Sequence, residues 1–224
     1  MVRPRVPDDA DLVQRLSIGD DHAYALVLDA WSAGMLRLAR SFVTTDDSAK
    51  EVLQDTWMAV ITGLGSFEGR SSFRTWVYRI LVNTAKRRGE RESHVVPWSS
   101  WEPDRSERGP TVEPIRFQDA SEDYPGHWRV FPQQWPSPES AALTAEMRTT
   151  VSRAIESLPA RQRIVVTLRD VEGYGADEVC LVLSISGANQ RVLLHRGRAV
   201  VRTALEAYFA TAEHVSGDPA EVSS

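Results

Sequence analysis

A single cysteine, Cys180, occurs among the 224 residues. No intramolecular disulfide can form and no Cys-rich metal site exists, a usage that fits a reducing compartment. The five histidines, at positions 22, 94, 127, 195 and 214, show no metal-ligand spacing, so neither a metal nor a cofactor is expected. No apolar run approaches the roughly 18–20 residues that span a bilayer, and membrane insertion is not expected. The opening Met1-Val2-Arg3-Pro4-Arg5 is followed by acid rather than an apolar stretch, which predicts no secretory leader and a cytoplasmic protein. Basic charge is also short. Lys and Arg number 26 against 31 Asp and Glu, a formal net charge of −5. A uniformly basic coat is thereby excluded, and any contact with nucleic acid must come from local patches. Strand alternation and internal repeats are absent. Without a preceding strand, Gly63, Gly65 and Gly69 do not read as a phosphate-cradling loop.

What remains is helical pattern in two blocks. Residues 10–92 read as four helices: a short one over Asp11–Leu16, one over 21–43 with Ala25, Leu28, Leu36 and Ala39, one over 47–63, and one from Ser71-Ser72 to about Arg91. Thr45-Asp46-Asp47 supplies an N-cap for the third. Leu53, Trp57, Val60, Ile61 and Leu64 recur at helical spacing and predict one buried stripe. Phe73, Trp76, Val77, Ile80 and Leu81 predict the core face of the fourth. Residues 138–210 read as helices again. The first opens at Ser137-Pro138-Glu139 and stops before Pro159. Others cover 160–171 and 176–183, and a long one runs from Ser186 to about Phe209. Cys180 falls in the third of these as a small core residue. Between the blocks, 93–137 is a linker, and 211–224 a disordered tail. The segment running up to Pro138 carries eight of the twelve prolines and four of the seven tryptophans. Proline at that density stops helices. The tryptophans at 98, 101, 128 and 135 suggest a tether with points that dock and could hold the two blocks together.

Chemistry concentrates in three places. From 70 to 92 seven cations face two acids, and Arg79, Asn83, Lys86 and Arg87 fall on one strip with Trp76 at its border. Cations neutralise phosphates, an amide reads a base edge, and an aromatic ring stacks on an unpaired base. From 191 to 202 come Arg191, His195, Arg196, Arg198 and Arg202 without an acid, opposite Leu193, Leu194, Gly197, Val200, Val201, Ala204 and Leu205. With the helix and tight turn before it, this is the split a helix-turn-helix recognition helix needs. Ser186, Asn189, Gln190 and Arg191 at its start suit base edges or phosphates. By wheel arithmetic, however, Gln190 falls in the apolar stripe, where an unpaired amide costs about 1–3 kcal/mol. The third place is acidic: Glu51 and Asp55 stand one turn apart with Gln54 between them. Docking on a basic partner, a solvated face and an acid–base pair are all open readings of it. A stand-alone helix-turn-helix regulator that binds duplex without a partner, and a nuclease using the paired carboxylates, are the alternatives on residues alone.

Three strings resemble the second region of extracytoplasmic-function (ECF) sigma factors, small members of the sigma-70 family of bacterial initiation factors. They are Glu51-Val-Leu-Gln-Asp-Thr-Trp57, Phe67-Glu-Gly-Arg-Ser-Ser-Phe-Arg-Thr-Trp76 and Tyr78-Arg-Ile-Leu-Val-Asn-Thr-Ala-Lys86. Leu158-Pro-Ala-Arg-Gln-Arg163, Leu168-Arg-Asp-Val-Glu-Gly173 and Leu194-His-Arg-Gly-Arg198 resemble their fourth region. The resemblance implies an all-α fold of two helical domains, over 10–92 and 138–210. It implies a non-enzymatic promoter-specificity subunit whose partners are core RNA polymerase (β′ clamp coiled coil and β flap), promoter DNA and an anti-sigma factor. It assigns Glu51, Gln54, Asp55 and Trp57 to polymerase docking. Phe67, Gly69, Arg70, Ser71, Ser72 and Phe73 go to capture of an unstacked base of the −10 element, and Trp76, Arg79, Asn83, Lys86 and Arg87 to the melted strand. Ser186, Asn189, Gln190, Arg191, Val192, His195 and Arg196 go to the −35 element. Two departures stand out: Ser184 holds the turn position where the family usually has Gly, and the linker is longer than the family's.

Overall fold

The computed structural model describes residues 6–92 and 141–216, and every regular element among them is helical. The linker over 93–137, with the tryptophans expected to dock, and the helix opening expected at Ser137-Pro138-Glu139 lie outside these residues; of the tail expected to be disordered over 211–224, residues up to Ser216 are helical and the rest lie outside as well. The first four helices are α1 (Asp9–Ser17), α2 (Asp21–Ala39), α3 (Asp46–Gly63) and α4 (Phe73–Arg91). Each starts where a polar side chain can take the free amides of a first turn. Asp8 caps α1, Asp20 caps α2, Thr45 caps α3 and Ser72 caps α4. A 3₁₀ turn, Leu64–Ser66, ends α3.

The expected helices are all present, but one face is not the expected one. In α2 the buried set is Ala23, Val27, Trp31, Met35 and Leu38, while Ala25 and Leu28 lie on the outside. Small residues surround that stripe, so periodicity alone left its phase open. In α3, Val52, Trp57, Val60 and Leu64 are buried, whereas Ile61 is 48% exposed. In α4, which packs on α2, α3 and α7, Phe73, Val77, Tyr78, Leu81 and Val82 are fully buried. The rings of Trp31, Phe67 and Trp76 each stand 5.4–5.9 Å from that of Phe73.

The later helices are α5 (Ala141–Ser157), α6 (Ala160–Val166), α7 (Ala176–Leu183) and α8 (Gly187–Ser216). The reading of one helix over 160–171 is corrected at its end. α6 passes into a π turn over Thr167–Val171, in which Glu172 N–H donates to the Thr167 carbonyl at 2.8 Å. Contact grouping divides the chain into two units, one of residues 1–102 with 164–191 and one of 103–163 with 192–224. In the first unit, α7 packs along α4. In the second, Leu193, Leu194, Leu205 and Phe209 of α8 are buried, and the Tyr208 hydroxyl donates to Glu146 of α5 at 3.0 Å. Cys180 is only half-buried, on the flank of α7 rather than in the core.

α7 and α8 are joined through Ser184, whose φ of 59° and ψ of 48° place it in the left-handed region. The turn demands that geometry: Ile185 N–H must double back to the Cys180 carbonyl, which it reaches at 3.2 Å. A side chain with a Cβ is strained there, and glycine is not. Ser184→Gly is expected to stabilise the protein by about 0.5–1 kcal/mol, read as a higher urea midpoint at unchanged m-value.

Candidate nucleic-acid and polymerase interface

α3 turns one stripe to solvent. Glu51, Gln54 and Asp55 are exposed, and Met58 (56% exposed) and Ile61 continue the stripe at helical spacing. Glu51 is ion-paired to Arg88 of α4, which also holds Glu92 at 2.7 Å. Glu92 in turn accepts from Thr44, and its hydrogen bonds from Ser48 and Arg88 pull its carboxyl down to about 2. Glu51, at the N-terminal end of the acidic face, is thus braced against α4. Trp57 departs from the expected set. It is buried against the bundle, its indole N–H without a hydrogen-bond partner, and it cannot touch a partner from there. Met58 and Ile61 were missed. Their signal was an apolar pair at positions i+7 and i+10 from Glu51, on the acidic face rather than the core face.

The second part of the site is a cleft of about 450 Å³. Ser66, Phe67, Arg70, Ser71, Trp76 and Arg79 line it, with Leu181 of α7 on one wall. The Phe67 and Trp76 rings stand 5.5 Å apart and 61° from parallel. Gly69 has φ +68°, which lets the loop turn in front of the rings without strain. Arg70 reaches back to Glu68 at 3.0 Å. From the mouth of the cleft, exposed Arg79, Asn83 and Arg87 run up α4 at four-residue spacing. That is one face of a helix, ringed by solvent. The ring-lined cleft and the cationic strip are therefore contiguous.

Three residues expected here do other work. Phe73 is fully buried in the ring cluster and is a core residue, because the first turn of α4 points it at Trp31. Ser72 caps α4, its Oγ accepting from Thr75 N–H at 3.1 Å. Lys86 is half-buried and donates to the Leu183 carbonyl at the end of α7, at 3.3 Å. Burial lowers its ammonium below the ordinary lysine value.

The third part is the start of α8. Ser186 Oγ accepts from Asn189 N–H at 3.2 Å and opens the helix. Arg191, Val192 and His195 are exposed at its surface, and Arg196 and Asn189 are half-buried. Gln190 is corrected. It is 1% exposed, and its Nε2 has no hydrogen-bond partner. The wheel position decided this against the chemistry of the amide, so Gln190 does not reach a base.

A short helix and a long cationic one joined by a tight turn, in a chain that also carries a four-helix bundle with an aromatic cleft and basic strip, define an all-α DNA-binding protein of the helix-turn-helix class. Residues 28–94 match sigma-70 region 2, and residues 148–200 match sigma-70 region 4. The chain is 30% identical over 198 residues to the RNA polymerase sigma-H factor of Pseudomonas aeruginosa, which covers 88% of this chain and 94% of that one. It is 29% identical over 196 residues to the ECF RNA polymerase sigma-E factor of Escherichia coli, 86% and 92% of the two chains. Among solved structures, CnrH in complex with the cytosolic domain of CnrY aligns at a TM-score of 0.52 and 19% identity, over 89% of this chain and 97% of that one. RpoE in complex with the anti-sigma factor NepR, from Bartonella quintana, aligns at 0.51 and 18%, over 83% and 96%. The chain belongs to the ECF sigma factors of the sigma-70 family, the promoter-recognising subunits that direct RNA polymerase to initiate. No helix among the described residues is long and apolar enough to cross a membrane.

Proposed function

We propose that this sigma factor works through three surfaces used together. The α3 stripe of Glu51, Gln54, Asp55, Met58 and Ile61 docks on the β′ clamp coiled coil of core polymerase. Carboxylates meet the partner's cations at its rim, and the two apolar side chains lose water at its centre. The Phe67–Trp76 cleft takes a base of the −10 element that has left the stack. Arg79, Asn83 and Arg87 hold the phosphates of the same unpaired strand. The exposed start of α8, from Ser186 through Arg191, Val192 and His195, enters the major groove of the −35 duplex, with the β flap supporting it.

The observation that carries the reading is the continuity of the aromatic cleft with the exposed strip of α4. A protein that reads only duplex has no use for a base-sized cleft of rings. Nothing in this scheme requires chemistry from the chain itself, so the protein acts as a subunit and not as an enzyme, in the cytoplasm where polymerase and chromosome meet. An anti-sigma factor is a further expected partner, since both aligned structures are complexes and one partner is named as an anti-sigma factor. The domain limits that go with this scheme are 10–92 and 138–210.

Run-off transcription with core polymerase on a pool of random promoters tests the proposal. The expected result is a set of transcripts that share two upstream elements and that appear only when the chain is added. Tight binding to duplex without polymerase, and no chain-dependent transcripts, would favour a stand-alone regulator instead.

A further inference from the structure

The loop over 67–72 fronts the cleft, and both of its ends lean on α1. Before it, the 3₁₀ turn Leu64–Ser66 packs against α1. After it, the Phe73 N–H donates to the Asp9 carboxylate at 2.8 Å. Phe73 opens α4 and Asp9 opens α1, so two helix starts meet at one carboxylate. The amides of a first turn have no partner within their own helix. Ser72 takes one of those of α4, from Thr75, at 3.1 Å, and Asp9 takes another from outside the helix. α1 is a firm support. Leu12 and Leu16 are buried, and Arg15 holds Asp20, the cap of α2, at 2.8 Å.

What hangs on that amide is the cleft. The Phe73 ring lies 5.4 Å from that of Phe67 and 5.6 Å from that of Trp76, stacked on the latter. Trp76 belongs to the same first turn of α4, its own N–H donating to the Ser72 carbonyl at 3.0 Å. A shift of this turn therefore moves the ring beneath the cleft and one of the cleft walls together. Glu178 of α7 reaches the same end of α4, but through the hydroxyls of Thr75 and Ser72. Asp9 holds the backbone. It is half-buried and does not line the cleft, and a carboxylate would repel the phosphates of a bound strand. Its chemistry suits an anchor rather than a contact with DNA. It also falls one residue before the limits of 10–92 given above.

We infer that Asp9 is a positioning residue for −10 capture: it fixes the first amide of α4 and, through Phe73, sets the Phe67 and Trp76 rings at the spacing that takes an unpaired base, without touching DNA itself. Rings already in place lose less freedom on binding than rings the base must order. Without Asp9 the first turn of α4 frays, and the base meets no ordered stack. Arg79, Asn83 and Arg87 lie further up α4, so their hold on phosphates is kept. This rests on the −10 role given to the cleft and α4 strip above.

The test uses the full chain assembled with core polymerase and a fluorescent single-stranded DNA carrying the −10 segment selected in the run-off pool. An abasic site placed at each position in turn locates the captured base in wild type. Asp9→Ala removes both the acceptor and the charge. Asp9→Asn removes the charge but keeps an oxygen for the Phe73 N–H. Asp9→Ala is expected to bind the intact strand roughly ten-fold more weakly, the scale of one lost base stack, and to distinguish it no longer from the strand abasic at the captured position. Asp9→Asn should keep both the affinity and the discrimination, and both variants should still co-elute with core polymerase. If circular dichroism shows Asp9→Ala unfolded, Asp9→Glu, which keeps the charge but displaces the acceptor by one methylene, replaces it in the same comparison. Undiminished binding by Asp9→Ala would overturn the assignment. Equal losses in Asp9→Ala and Asp9→Asn would trace the effect to charge and overturn it as well. A loss that leaves the intact-to-abasic ratio at its wild-type value, or that comes with lost co-elution, would mark damage beyond the cleft and overturn it too. A wild-type complex that binds intact and abasic strands alike would instead overturn the base capture on which the assignment rests.

Discussion

The double substitution Glu51→Lys and Asp55→Lys is expected to abolish co-elution with core polymerase while leaving the fold intact. Both residues are exposed, one turn apart, on a helix whose opposite side carries the buried Val52, Thr56 and Val60. The change therefore touches no core atom. Glu51→Lys removes the ion pair with Arg88, but Arg88 keeps Glu92 at 2.7 Å, and Glu92 still accepts from Thr44 just before α3. Against a cationic partner, two attractive contacts become two repulsive ones. Like charges forced together across an interface cost several kcal/mol, and each 1.4 kcal/mol is a factor of ten. A loss of roughly hundred-fold or more in affinity follows. It should deepen at low salt, where screening is weakest. Sizing chromatography with core enzyme reads it, and circular dichroism confirms the helices. Undiminished co-elution would place the polymerase contact elsewhere.

Phe73→Ala is expected to cost about 3–5 kcal/mol of stability, the largest effect of any single truncation discussed here. The ring is fully buried and meets Trp31, Phe67 and Trp76. Its removal leaves a cavity at the place where α4 begins, and the Trp76 ring that stacks on it loses its floor. Phe67→Ala, at a half-buried position on the cleft wall, should cost far less stability yet weaken single-strand binding comparably. Urea unfolding beside oligonucleotide binding separates the two roles. Equal destabilisation by both truncations would mean that Phe67, too, belongs to the core.

Helix starts were legible because they rest on local rules. Thr45 before Asp46-Asp47 and Ser72 before α4 are caps whose effect acts within one turn. Strings of matched residues carried the polymerase and DNA roles as expectations. The misplacements have two causes. Whether Leu28 and Ile61 point in or out depends on which neighbour covers each face, and a stripe two residues wide leaves that phase ambiguous, whereas the stripes did place Trp57 and Phe73 in the core and only the matched strings gave them outward roles. Gln190 shows the reverse case: its side chain suits a base edge, but its position on the helix wheel decided for burial. Asp9 was invisible in a different way. Its partner lies 64 positions away, and no periodicity links a carboxylate at the start of one helix to the first amide of another.

The central claim is that this chain gives polymerase a grip on unpaired −10 DNA. Permanganate reactivity of thymines in a promoter drawn from the random pool tests it most directly. With core polymerase and the chain together, thymines of the −10 segment should become reactive while those of the −35 segment stay protected in duplex. With core alone, both should stay unreactive. Thymines that remain paired when the chain is present, or that open equally well without it, would contradict the claim.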